Sequence, residues 1–194
     1  MNGHAQLSMD PTQAWDVDLD WQLARDGTDF AGRTRIRGLP SALDVAQDIS
    51  APLSAQLAGT VRGIPDQPAW SLGLAVEPLP DGAQPWPAAL EGFAARLRIE
   101  GDIEDTRVTG AFEMPRHLAG TTEIEAHGGW VEHTARVPRL DLVLQDGATL
   151  RGNGWFQPGG DPAAEFMLSG VGLGWPLDGR EREIDVPRVQ LRGS

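Results

Sequence analysis

The run Trp15-Asp16-Val17-Asp18-Leu19-Asp20-Trp21-Gln22-Leu23 decides the reading of this chain. Five apolar residues alternate with four polar ones. A period of two sends successive side chains to opposite faces of an extended strand, so one face is apolar and the other is wet. A helix would scatter the same residues around its circumference. The pattern returns at Leu53, Leu57 and Val61, then at Trp70, Leu72, Leu74 and Val76, then at Leu97, Ile99 and Ile103. Further copies are Val108, Phe112 and Met114; Leu140, Leu142 and Leu144; Leu150 and Phe156; and an apolar-rich run from Phe166 to Trp175.

Turn chemistry separates these runs. Asp26-Gly27, Asp81-Gly82, Asp146-Gly147 and Asp178-Gly179 are Asp-Gly pairs, which tolerate the positive φ of tight hairpin turns. Asp146-Gly147 lies between two alternating runs, so 140–156 reads as a β-hairpin. The whole chain reads as ten to twelve strands of a long antiparallel sheet. Two stretches also admit a helical turn: Ser41 to Asp48, and Ala88 to Ala95, where Leu90, Phe93, Ala94 and Leu97 fit helical spacing.

Composition narrows the function. The 194 residues include 28 Asp and Glu against 16 basic residues, every one of them Arg, for a net charge of −12. No basic cluster offers a footprint for nucleic acid, and anionic membrane surfaces repel such a chain. With no cysteine, disulfides, thiolate metal sites and a Cys nucleophile are excluded. The N-terminus lacks the charged and apolar regions of a signal peptide, and no apolar stretch is long enough to span a bilayer as a helix.

Chemistry-bearing constellations are few. His4, His117, His127 and His133 have no metal-ligand spacing and read as exposed strand-end residues. The carboxylate pairs Glu123/Glu125 and Asp18/Asp20 alternate with apolar residues, which places them on the solvent face of strands rather than across a cleft. Leu168-Ser169-Gly170 lacks the Gly of a nucleophile elbow, and the Gly170–Gly174 run has no following helix to hold a phosphate. No catalytic residue, cofactor or metal is therefore expected, and the chain reads as a non-enzyme. Of seven Trp, Trp15, Trp21 and Trp70 keep the phase of the apolar face and read as core or groove lining. Trp also stacks on sugars, so a β-sandwich carbohydrate-binding module with exposed Trp is the rival reading.

Internal repetition favours an elongated stack over a closed sandwich. Leu97 to Phe112 shows an apolar pair, a Gly, an acidic turn and an apolar strand; Leu57 to Leu72 has the same plan. Val137-Pro138-Arg139-Leu140-Asp141-Leu142 is echoed by Val186-Pro187-Arg188-Val189-Gln190-Leu191. The second copy runs into the C-terminus, so residues 1–194 are expected to be one segment of a longer repetitive β-protein.

These units, Leu97–Met114 and Leu140–Phe156, together with the segment Ala51 to Gly59 followed by a Trp strand at Trp70, resemble the periplasmic repeat region of the TamB family in the AsmA-like superfamily. The resemblance runs from Trp15 to Leu191 and is one of style and spacing. It implies an all-β fold, an elongated curved antiparallel-rich sheet, the β-taco or trough, with an apolar concave face. It implies a periplasmic location in a parent anchored to the inner membrane. It further implies a role in transport to the outer membrane, either moving phospholipid by its acyl chains or assisting unfolded outer-membrane proteins, with a TamA-like barrel as the parent's partner. The expected groove lining is Leu97, Ile99, Ile103, Val108, Phe112, Ile124, Leu140, Leu142, Leu144, Leu150 and Phe156. An open apolar face suits acyl chains, because they need burial and no directional polar contact.

Overall fold

Among the described residues, twelve strands form one antiparallel sheet in a computed structural model of the chain, in the order β1 to β12 without a crossover. They are β1 (Trp15–Arg25), β2 (Thr28–Leu39), β3 (Ala42–Ala51), β4 (Ala55–Arg62), β5 (Ala69–Val76), β6 (Ala94–Asp102), β7 (Thr106–Glu113), β8 (Thr121–Val131), β9 (Thr134–Leu144), β10 (Thr149–Gln157), β11 (Ala163–Trp175) and β12 (Ile184–Gly193). The structure describes residues 13–25, 28–51, 53–78, 92–113, 120–158, 163–175 and 184–193, and from residue 174 onward the backbone alone. The sheet is curved and open: β1 and β12 are its two edges and do not pair with each other.

The period of two seen in Trp15–Leu23 holds across the sheet because directly paired residues share a face. The chain of partners Leu57↔Leu74↔Leu97↔Gly110↔Ile124↔Leu142↔Leu150↔Gly170 crosses eight strands on one side. That side is apolar. The opposite side carries Asp16 and Asp18 on β1, Arg33, Arg35 and Arg37 on β2, Arg107 on β7, Glu125 on β8, and Arg139 and Asp141 on β9. Such a division makes register strict, since a one-residue slip would turn the whole apolar row into water.

Turns fold over the strand ends. Gly147 N–H donates to the Leu144 carbonyl at 2.9 Å, and the Asp146 carboxylate accepts from Ala148 N–H, closing the β9–β10 hairpin at the Asp-Gly pair as its sequence predicts. Asp26-Gly27, Asp81-Gly82 and Asp178-Gly179 lie outside the described residues. At the other strand ends, Ile64 N–H donates to the Pro40 carbonyl at 3.2 Å, and Leu43 is buried there. The best-buried line, with Ala55, Ala95, Thr122 and Leu144, follows the partner row Ala55↔Val76↔Ala95↔Phe112↔Thr122↔Leu144. Phe93 packs beside Phe112 with ring centroids 6.3 Å apart.

One expectation changes. Ser41 to Asp48 forms no helical turn; from Ala42 it is strand β3, with Leu43, Val45, Gln47 and Ile49 facing the apolar side through their partners Val61, Gly59, Leu57 and Ala55. Of the 88–95 stretch, 88–91 lies outside the described residues, and Ala94 and Ala95 already belong to β6. The sandwich fold of the rival reading is also set aside: the twelve strands make one sheet, with no second sheet packed on it among the described residues.

The curvature needs glycine where backbones approach. Gly110 has φ +143°, and a Cβ there would lie 2.1 Å from the Arg96 carbonyl oxygen on β6. Only a residue without Cβ takes this conformation so close to a neighbouring strand.

Candidate ligand-binding surfaces

Ten of the eleven predicted groove residues share the apolar face. Leu97 and Ile99 pair through Gly110 and Val108; Phe112 pairs with Thr122, which pairs with Leu144; Ile124 pairs with Leu142, which pairs with Leu150; Leu140 lies opposite Gly152, and Phe156 opposite Ala135. The exception is Ile103. It sits in the β6–β7 turn rather than on a strand, and it reaches the same side from the strand ends. Leu144 is buried, Phe156 and Ile103 are exposed, and the others are half-buried. Among the described residues no large side chain is fully buried, as expected of one layer with nothing packed on it.

The face has an apolar hollow at one end. A cavity of about 430 Å³ is lined by Trp70, Ile103, Val108, Trp130 and Val137, among others. Trp70 is on β5 and Val137 on β9. In a flat sheet four strand spacings would separate them by about 19 Å. Their sharing one hollow reflects curling of the sheet toward its apolar side.

One polar thread interrupts this face. Trp21 Nε1–H donates to Thr34 Oγ1 at 3.2 Å, and the Thr34 hydroxyl donates to Gln47 Oε1. Gln47 Nε2 is buried without a partner.

The convex face is stitched by ions. Arg33 pairs with Asp18 at 2.5 Å, Arg37 with Asp16 at 3.1 Å, Arg35 with Asp48 at 2.8 Å, and Arg107 with Glu125 at 2.7 Å, each across neighbouring strands. Arg139 and Arg151 both reach Asp141. The hydrogen bond from Arg33 holds the Asp18 carboxyl below its ordinary range, and the one from Arg139 does the same for Asp141. Glu125 is lowered first by its hydrogen bond with His127 and then by Arg107. Asp18, Glu125 and Asp141 thus sit on the solvent side in ion pairs, as their alternation with apolar residues predicts. His127 differs from its expected place at a strand end: it lies within β8, half-buried, 3.3 Å from Glu125. His133 is in the β8–β9 turn and exposed, while His4 and His117 lie outside the described residues.

A second cavity, of about 850 Å³, opens on this convex side between the β6–β7 turn and β10. Sequence reading missed it because three irregularities build it. β9 carries an extra residue near Val137-Pro138 against both neighbours, a bulge that seats a proline inside the sheet. Gly129 lets the Glu104 backbone approach to where a Cβ would stand. Trp130 N–H then donates to the Ile103 carbonyl at 2.7 Å, tying the turn down. The turn divides the two cavities, with Ile103 lining the apolar one and Glu104 and Asp105 lining the convex one.

Among the described residues no group of three or more His, Asp or Glu side chains is placed to hold a metal ion, and no helix is long and apolar enough to cross a membrane. Comparison with family models, with curated proteins and with solved structures returns no match.

Proposed function

We propose that this chain is a non-catalytic conduit or chaperone segment of a periplasmic protein of the TamB kind, whose apolar concave face carries cargo toward the outer membrane. The observation that supports it most is the single continuous apolar face formed by Leu97, Ile99, Val108, Phe112, Ile124, Leu140, Leu142, Leu144, Leu150 and Phe156, with no second layer packed over it among the described residues. Open apolar surface of that extent is costly in water unless something is meant to lie on it. Phospholipid acyl chains match a lining without directional polar groups, and they are the cargo we favour over an unfolded outer-membrane protein. The parent would be anchored in the inner membrane and deliver its cargo with a TamA-like barrel partner.

The test is site-specific photocrosslinking in cells, with a photoreactive residue at Leu142 on the apolar face or at Val143, its neighbour on the convex face. Lipid adducts at 142 and none at 143 are expected. Adducts to protein at 142 would move the cargo to unfolded polypeptide, and equal labelling at both positions would overturn the conduit.

A further inference from the structure

The convex cavity has the wrong chemistry for an acyl chain. Trp155 lines it and is 37% exposed. Asn153, Trp155 and Gln157 alternate along β10, so an amide flanks the indole on each side at about 7 Å along the strand. Arg136 stands directly across from Trp155 on β9. Glu104 and Asp105 on the tied turn form the facing wall. The cavity therefore joins one flat aromatic surface to donors (Arg136 and the two amides) and acceptors (the two carboxylates and the same amides).

We infer that this cavity binds a neutral glycan, with one sugar ring stacked on Trp155. A pyranose has an apolar face of C–H groups and a rim of hydroxyls, each both donor and acceptor. An indole covers the first, and mixed amide, carboxylate and guanidinium groups satisfy the second. An anionic polymer is disfavoured, since two carboxylates face one guanidinium in a chain of net charge −12. A lipid tail is disfavoured because it would leave those polar groups desolvated and unpaired. The volume of about 850 Å³ suits a short oligosaccharide. The site lies on the face opposite the proposed conduit and stands independently of it.

The experiment is calorimetric titration of the 194-residue chain with cellohexaose and with the hexamer of N-acetylglucosamine. Saturable binding of at least one is expected. Trp155→Ala should weaken it about tenfold or more, the usual effect of removing an aromatic anchor, while Trp130→Ala, in the apolar hollow, should change it less than about twofold. If Trp155→Ala does not fold by circular dichroism, the double variant Asn153→Ala/Gln157→Ala, at two exposed positions, replaces it with the same expected loss. No binding of either sugar, unchanged affinity in the Trp155 or amide variants, or loss in Trp130→Ala instead would each overturn the inference.

Discussion

Leu142→Arg and Leu144→Arg place the same charge two residues apart on one row of β9, and the sheet predicts opposite outcomes. Leu144 is 5% exposed, beside Thr122 and beneath the β9–β10 turn, where its own N–H donates to the Ala148 carbonyl. An Arg there is a buried charge without a partner, costing about 4 kcal/mol or more. Leu142 is half-buried between Ile124 and Leu150. Replacing it forfeits about half of the ~2 kcal/mol that full burial of a leucine gives, and the long Arg stem lifts its guanidinium into water. At ~2–4 °C per kcal/mol for a domain of this size, Leu142→Arg should lower Tm by about 3 °C and Leu144→Arg by more than about 10 °C. Melts followed by circular dichroism separate the two. In the parent, Leu142→Arg should then be folded yet inactive in export, with lipid crosslinking lost at neighbouring Ile124. Equal destabilisation by both substitutions would refute the open face, because Leu142 would then be ordinary core. A folded Leu142→Arg that still crosslinks lipid at Ile124 would leave the sheet intact and remove its use as a conduit.

Three other outcomes follow from particular contacts. Gly110→Ala should destabilise by about 2 kcal/mol or more in urea titrations, since it adds a Cβ 2.1 Å from a carbonyl at φ +143°, whereas Gly73→Ala, with its nearest atom at 3.8 Å, should stay within about 0.5 kcal/mol. Asp18, Glu125 and Asp141 have depressed folded-state pKa values, so their contribution is present above the usual carboxylate range and is lost as pH falls through the lower folded values; carboxyl titration by NMR should give all three below the ordinary range, and Arg33→Gln should return Asp18 to it. Leu19 and Leu23 on the edge strand β1 are 53% and 59% exposed, so the chain should associate at high concentration by edge pairing; Leu19→Lys/Leu23→Lys should shift sedimentation toward monomer without lowering Tm, and a strictly monomeric wild type would count against accessible edges.

Strand identity was legible wherever alternation was clean, as in Trp15–Leu23 and Leu140–Leu144, because one side of a single layer must be apolar to hold a sheet together. It failed at Ser41–Asp48 for a local reason: Gln47 occupies an apolar-face position, where Thr34 donates to it, and so breaks the row that Leu43, Val45 and Ile49 continue. That ten of the expected lining residues share one face was legible from phase alone, whereas Ile103 falls in the β6–β7 turn. The convex cavity was not, since it depends on a bulge at Val137-Pro138 and on the approach of Glu104 to Gly129, which join segments distant in sequence. One trace was present nonetheless: Trp155 is out of phase with Leu150 and Phe156, so an indole had to lie among the polar residues of β10.

Every described strand pairs only with its neighbours in the chain, so among them no pairing closes the sheet on itself. Such a sheet has no natural size, and its extent is a genetic variable rather than a geometric one. It is nevertheless quantised. Excising β6 and β7 together would bring β8 alongside β5 in the same direction that β6 ran, keeping antiparallel pairing and the identity of both faces. Excising one strand alone would either reverse every strand that follows, moving their turns to the opposite ends of the sheet, or, with their directions kept, leave β5 and β7 parallel and in need of a crossover connection. Insertions and deletions in proteins built this way should therefore come in even numbers of strands, with the hairpin as the heritable unit.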